Sequence, residues 1–219
     1  MMKALVIGAT GLSGKATINQ LILDERFTEV VAFSRRPIAI IHQKFKNEVV
    51  DFNSIEEWSH LLTGDILFSV LGTTKKDAGS TTQQYLVDYT YQYECAYHAA
   101  QHKVHTLCLV SSVGANPRSP IFYSRIKGEL EEAVLKLQFS TIRILRPGPI
   151  TGQRERKRLM ENISVSIIRF LNSIGLFKKY RPAEGLDIAN ALINAAFDSP
   201  KLREKTYELN QVFTIANKQ

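Results

Sequence analysis

Cysteine is nearly missing: Cys95 and Cys108 are the only two in 219 residues, and no Cys-x-x-Cys occurs, which excludes a disulfide scaffold and a cysteine zinc site. Both are expected as small buried apolar side chains. Long apolar runs are missing too, none approaching the roughly 20 residues a membrane-spanning helix needs. The opening MMKALVIGATGLSG has one lysine and an apolar run broken by glycines, too short for a secretory signal peptide, so the expected compartment is the cytosol. There is no low-complexity tract and no repeat of roughly 20–50 residues, and glycine (12) and proline (7) are at ordinary levels. Disordered, fibrous and repeat architectures are therefore excluded.

What is present is 44% hydrophobic and 22% charged residues, enough to bury a full core in one domain of the larger kind. The net charge of +7 favours anionic partners without choosing among them. Its basic residues form separate islands at Arg35-Arg36, Lys75-Lys76, Arg154 to Arg158 and Lys178 to Arg181. With no aromatic residues interleaved and no helix-turn-helix pattern, nucleic acid is not an expected partner.

Short apolar runs alternate with longer helical stretches from the first residues onward. Strands are expected at Lys3–Ile7, Glu29–Ser34, Glu48–Val50, Asp65–Leu71, Thr106–Val110, Ser140–Leu145 and Thr206–Leu209. Helices are expected at Leu12–Leu23, Ser54–Leu62, Thr82–Gln101, Phe122–Leu137, Arg158–Ile174 and Gly185–Phe197. Right-handed crossovers then make an α/β, doubly wound, Rossmann-type, mostly parallel sheet of six to seven strands with helices on both faces. Residues 1–219 read as a single domain. Residues from about 152 to 181 are expected to form an insertion or lid on the substrate side, its apolar positions Ile163, Ile167, Phe170, Leu171 and Ile174 at helical spacing facing an apolar pocket. An interfacial helix touching acidic lipid is the second functional reading of that stretch, and a core-facing helix with solvated ends is the plain structural one.

The first strand runs into Gly8-Ala9-Thr10-Gly11-Leu12-Ser13-Gly14 and then a helix, the setting in which a pyrophosphate rests on a helix N-terminus. The spacing is GxxGxxG. Gly8 allows the tight turn, Gly11 removes a side chain that would block the phosphates, and Gly14 allows close packing; Thr10, Leu12 and Ser13 complete the loop. At the end of the second strand an NAD-binding chain would place a carboxylate for the ribose hydroxyls, but here stand Ser34, Arg35 and Arg36. Guanidinium groups pair with a 2′-phosphate that a carboxylate would repel, so NADP(H) is the expected cofactor. In Val50-Asp51-Phe52, after the third strand, Asp51 and nearby backbone, that of Phe52 included, are expected at the adenine edge.

The strand ending in Ser111-Ser112 is followed by Tyr123-Ser124-Arg125-Ile126-Lys127 at a helix start, and the i,i+4 spacing puts Tyr123 and Lys127 on one face. A free phenol gives up its proton only near pH 10, unless positive charge nearby favours the phenolate. The lysine ammonium and an oxidised nicotinamide would supply that charge. Ser112 could then hold a carbonyl oxygen while Tyr123 gives or takes its proton. Glu94, His98 and His102 share a helical face and Cys108 sits in a strand, but neither has the partners a metal site or a cysteine nucleophile needs, so no metal is expected.

In their order along the chain, GATGLSG, Ser34-Arg35-Arg36, Val70-Leu71-Gly72-Thr73-Thr74, Ser111-Ser112, Tyr123-x-x-x-Lys127 and Arg146-Pro147-Gly148-Pro149-Ile150 resemble the short-chain dehydrogenases/reductases. More narrowly, LGTT, FYSRIKGELE and RPG are similar to the atypical subgroup containing the NADPH-binding Tat-interacting oxidoreductase proteins. By that resemblance Leu71, Gly72 and Thr73 would line the cofactor's ribose and phosphates, Ser111 would adjoin it, and Pro147, Gly148 and Ile150 would pass the nicotinamide. Ser112, Tyr123 and Lys127 would be the catalytic trio and would meet the cofactor too, with Ser111 as the alternative hydroxyl. Where that family often has an asparagine near the lysine, this chain has Asp88, which could hold Lys127 more tightly or disturb the proton relay.

The expected activity is hydride transfer between nicotinamide and an apolar small-molecule carbonyl or alcohol. The alternative is a nonenzymatic NADP(H)-sensing or scaffold protein that engages a protein partner. Peripheral membrane contact and a homodimer remain open at this level.

Overall fold

The computed structural model describes residues 1–151, 182–199 and 201–218. The expected lid at about 152–181, with the helix Arg158–Ile174 and the basic islands around it, lies outside the described residues. Seven strands make one sheet: β1 (Met2–Ile7), β2 (Phe27–Ser34), β3 (Phe45–Val49), β4 (Ile66–Ser69), β5 (Thr106–Val110), β6 (Thr141–Arg146) and β7 (Glu204–Glu208). All six pairings are parallel, in the order β3-β2-β1-β4-β5-β6-β7. The chain winds outward from β1 to β3, returns to lay β4 on the other side of β1, and winds outward again. This is the doubly wound Rossmann-type α/β fold, and the reversal between β1 and β4 opens a crevice at the strands' carboxyl ends.

Helices cover both faces: α1 (Leu12–Leu23), α2 (Ile55–Trp58), α3 (Lys75–Ala78), α4 (Thr81–Tyr85), α5 (Tyr91–Gln101), α6 (Phe122–Leu135), α7 (Gly185–Phe197) and α8 (Asn210–Ala216). The pleat of β1 sorts its side chains between two cores. Ala4 and Val6 pack with Ile18 and Leu21 of α1, Ile188 and Leu192 of α7, and Val212 and Ile215 of α8. Leu5 and Ile7 pack on the opposite face with Trp58 of α2, Cys95 and Ala99 of α5, and Leu130 and Val134 of α6. The inner strands, covered on both faces, are mostly apolar, with the buried Arg143 of β6 as an exception, whereas the edge strands β3 (FKNEV) and β7 (EKTYE) are rich in charge.

Three differences from the sequence reading have local causes. The fourth strand ends at Ser69 rather than Leu71, because Val70 and Leu71 leave the sheet to run beside Gly8. The helix expected over Thr82–Gln101 is interrupted by a wide π-turn at Leu86–Thr90. The last strand begins two residues earlier than expected and is followed by α8, whose start at Leu209 has a left-handed φ of 50° and no side-chain cap. Without a cap residue, seven residues of helix leave no start signal in the sequence.

Two charged groups organise the corner between α7 and β7. Arg143 of β6 is fully buried with no carboxylate among its hydrogen-bond partners; instead its guanidinium donates to the carbonyls of Ile142, Ala195, Asp198, Ser199, Leu202 and Arg203. Every nitrogen is used, which is what allows a buried guanidinium to persist. The Asp198 carboxylate accepts from Lys205 (2.6 Å), the Tyr207 hydroxyl (2.6 Å), the Ser199 hydroxyl (2.9 Å) and Lys218, stapling the end of the chain to β7. The hydrogen bonds from Lys205, Lys218 and Tyr207 hold the Asp198 carboxyl well below the usual carboxylate range, and burial beside that carboxylate pushes the Tyr207 phenol up. Because the folded-state value is depressed, this staple stabilises above the unfolded value near pH 4 and is lost as pH falls through the folded one. Asp198→Asn should therefore cost on the order of 1–2 kcal/mol at pH 7, discounted for the exposure of Lys218, in urea unfolding. The difference from wild type should shrink progressively below pH 4; a constant difference down to pH 2 would contradict it.

Candidate cofactor and active-site cleft

The crevice is built by close backbone contact. Gly8 follows β1 with φ of 84°, and a Cβ on it would lie 2.4 Å from the backbone of Val70 and Leu71. A Cβ on Gly14 would lie 2.1 Å from the Gly8 carbonyl oxygen. Any side chain at either position would force the β1 and β4 loops apart or push α1 off its loop. Gly11 differs: its Cβ would meet only the Gly8 oxygen, at an ordinary 3.4 Å, so the fold itself does not require glycine there. Gly11 is exposed on the cleft at the N-terminus of α1, which has no side-chain cap and no acidic residue in its first turn. The free amides and the positive end of the helix dipole are thus open to an anion.

From this loop the cleft extends over about 600 Å³. Leu12 and Ser13 line it beside Gly11; Leu71, Gly72 and Thr73 enter from the end of β4. Ser111 and Ser112 come from the end of β5, Tyr123 and Lys127 from the first turns of α6, and Pro147, Gly148 and Ile150 from beyond β6. Thr10 is exposed on the loop. Residues more than a hundred positions apart meet here because parallel strands bring all their carboxyl ends to one edge.

The end of β2 departs from expectation in part. Ser34 is buried, donating its hydroxyl hydrogen to the Arg36 carbonyl (2.7 Å) and accepting from the Asn47 amide (2.8 Å). Both contacts brace the turn after β2. Arg35 and Arg36 are exposed beyond it, and neither guanidinium donates a hydrogen bond or forms an ion pair among the described residues. The Phe52 ring is buried between Trp58 (5.4 Å) and Tyr91 (5.4 Å) and belongs to the core, so at this position it is the backbone, and not the ring, that the adenine expectation concerns. Asp51 is exposed and caps the turn after β3, accepting from the Asn53 backbone and side-chain amides at 2.9 Å.

In the trio region, Tyr123 is 39% exposed at the cleft edge and Lys127 is 2% exposed behind it, the ammonium 6.0 Å from the centre of the phenol ring. Ser112 is half-buried and its hydroxyl reaches only the Val113 carbonyl, at 3.3 Å; no hydrogen bond joins it to Tyr123. Lys127 is instead paired with the fully buried Asp88, Nζ to Oδ1 at 3.2 Å. The π-turn delivers Asp88 to this position, an arrangement that recurs where a helix bends to serve a site. Gln92, which carries no sequence signal, fixes the turn by donating to the Asp88 carbonyl (2.8 Å) and accepting from Ser69 of β4 (2.8 Å).

Among the described residues, three buried side-chain polar atoms have no partner: Asp88 Oδ2, Ser111 Oγ and Thr151 Oγ1. Unsatisfied buried groups are costly, and of the three Ser111 lines the cleft, where its hydroxyl is available to a polar ligand. The cysteines are inert by comparison, since burial pushes the Cys108 thiol up to about 12 and raises that of Cys95 further. His98 faces Glu56 at 3.6 Å while His102 faces the Leu62 carbonyl at 3.3 Å.

The chain's likenesses bear on this geometry. In structure it is similar to MoeE5 in complex with UDP-glucose and NAD, with a TM-score of 0.71, 17% identity, and coverage of 98% of this chain and 80% of that one. It is similar too to a short chain dehydrogenase family protein from Francisella tularensis, with a TM-score of 0.67, 15% identity, and coverage of 98% and 99%. The fold is thus that of nicotinamide-dinucleotide-dependent dehydrogenases and epimerases. In sequence it is 35% identical to Protein FMP52-1, mitochondrial, of Scheffersomyces stipitis, over 90% of this chain and 89% of that protein. It is also 35% identical to Protein FMP52, mitochondrial, of Saccharomyces cerevisiae, over 72% and 69%. These names overturn the cytosolic expectation: lacking a secretory signal does not choose between cytosol and mitochondrion, and the relatives point to the mitochondrion. The family model HIM1 matches residues 33–181, more than half the sequence, and with relatives aligned along most of its length the chain belongs to the HIM1 family.

Proposed function

We propose that the chain is an NADP(H)-dependent oxidoreductase of the short-chain type, working at the mitochondrion on a small carbonyl or alcohol. One observation carries this: an uncapped helix N-terminus under a bare Gly11 and the Tyr123–Lys127 pair line opposite parts of one cleft. The residues fit a dinucleotide, because Gly11 is a glycine the fold does not need and Ser111 presents an unspent buried hydroxyl. Gly11, Leu12 and Ser13 would hold the pyrophosphate, Leu71, Gly72 and Thr73 the adjoining ribose and phosphates, and Pro147, Gly148 and Ile150 the nicotinamide end. Arg35 and Arg36 would take the 2′-phosphate without help from Ser34. LGTT, FYSRIKGELE and RPG, the segments similar to the Tat-interacting oxidoreductase proteins, support the same cofactor.

When bound, the cofactor supplies or accepts the hydride; the protein supplies orientation and the proton. Tyr123 would exchange its phenolic proton with the substrate oxygen, Ser112 or Ser111 would hold that oxygen, and Lys127 would keep positive charge beside the phenol. Aliphatic lining from Leu12, Val113 and Ile150 favours an apolar substrate. The Asp88–Lys127 pair also suits a cofactor-sensing protein with no turnover, since a lysine bound to a carboxylate gives less support to a phenolate.

Gly11→Val should leave the circular dichroism spectrum and melting temperature close to wild type while weakening NADPH and NADH alike by at least tenfold, as the branched side chain enters the phosphate path. Normal binding by this variant would remove the phosphate site from α1. Wild type should bind NADPH at least tenfold tighter than NADH, and Arg35→Ala/Arg36→Ala should cost about 1.5–3 kcal/mol for NADPH alone. Equal wild-type affinities in a fluorescence titration would rule out the NADP(H) assignment. For catalysis, a carbonyl screen followed by NADPH absorbance should find a substrate on which Tyr123→Phe lowers turnover by about 100-fold or more with cofactor affinity nearly unchanged. Persistent turnover would exclude Tyr123 as the proton donor, and a failed screen alongside tight NADPH binding would favour the sensor.

A further inference from the structure

We infer that Asp88 sets which redox state of the nicotinamide this cleft prefers, by balancing the Lys127 ammonium so that the cationic, oxidised form is not repelled. The inference rests on the cofactor reading above and extends it to the cofactor's charge.

The geometry is specific. Lys127 lines the cleft, and Asp88 stands directly behind it, fully buried, 3.2 Å from its ammonium. Gly72, exposed on the cleft, separates the two sides: a Cβ on it would lie 3.3 Å from Asp88 Oδ1. Little of the carboxylate's charge is met elsewhere. Oδ1 accepts one long hydrogen bond from the Thr73 amide (3.3 Å), and Oδ2 is buried with no partner. Asp77, the carboxylate that lines the cleft among the described residues, is exposed and engaged by the Thr74 hydroxyl at 2.8 Å, where water screens it. Among the described residues, Lys127 on the cleft and Asp88 behind it thus form one cation and one anion in a poorly screened environment, with the pair formally neutral.

Oxidised nicotinamide carries a positive charge and reduced dihydronicotinamide does not, so the two forms sense any imbalance in that pair differently. Remove the carboxylate and the ammonium stands alone, repelling the oxidised form. Remove the ammonium and the carboxylate attracts it. Gln92, held by Ser69, fixes the main chain of the π-turn at Asp88, and the carboxylate itself is met by Lys127 and the Thr73 amide.

The test needs no substrate. Dissociation constants for NADP⁺ and NADPH are measured by calorimetry on wild type, Asp88→Asn, Lys127→Met and the double variant, and repeated with NAD⁺ and NADH. Asp88→Asn should raise the ratio of oxidised to reduced dissociation constants by about tenfold, Lys127→Met should lower it, and the double variant should return close to wild type. The shift should be equal for phosphorylated and unphosphorylated cofactors, because the 2′-phosphate is the same in both redox states. Should Asp88→Asn unfold, the contrast between wild type, Lys127→Met and the double variant still reads the effect of the carboxylate. Ratios that stay constant across the variants while all bind cofactor would overturn the inference and leave the cofactor site standing. Failure of wild type to bind any of the four dinucleotides would overturn both.

Discussion

The contact on which the cleft depends is the one between Gly8 and the backbone of Val70 and Leu71. Parallel β1 and β4 lie side by side with the chain turning away from each, and their loops can close on one another only if no side chain stands between. Gly14 repeats the condition one turn into α1, whose start is pressed onto the Gly8 carbonyl. These two glycines place the helix N-terminus over the crevice, and Gly11 is then free to serve what enters it. Two of the three glycines thus answer to packing and the third does not, a division that their spacing alone cannot express.

Buried charge is handled in two ways, and the difference separates structure from function. Arg143 is surrounded by six carbonyl oxygens and Asp198 by four donors, so each is satisfied on all sides and the corner between α7 and β7 becomes rigid. The Asp88–Lys127 pair is left incomplete, one carboxylate oxygen having no partner. The fold satisfies its structural ions fully and leaves this buried pair incomplete directly behind the cleft, where low screening keeps its field strong. Membership of the HIM1 family and the mitochondrial names of its relatives give this cleft a cellular setting but no substrate.

Much of the architecture was legible in the residues. Alternating apolar runs and helical stretches indicated a mostly parallel sheet of six to seven strands, of which the structure has seven, and the limits of α1, β5 and α7 agree with the sequence to the residue. The π-turn was not legible: Leu86–Thr90 continues a helical pattern, and its extra width comes from Gln92 and Ser69, joined across 23 positions. Nor was α8, whose entry at Leu209 carries no capping residue.

At the site, the sequence by itself determined the chemistry available: a glycine loop before a helix, two arginines after β2, and a tyrosine and lysine one turn apart. Those are local patterns, and local patterns survive without a fold. Only the tertiary structure decided which of those groups face the cleft. It turned Ser34 inward to the Arg36 carbonyl, buried Phe52 between Trp58 and Tyr91, and joined Asp88 to Lys127 across 39 positions. Ser34 meets a neighbour two positions on within a turn that Asn47 of β3 also holds, whereas Asp88 meets Lys127, and Phe52 meets Tyr91, only through the fold. A side chain's identity is written in one residue, but its direction and its partner are set by elements distant in sequence that the parallel sheet brings to one edge.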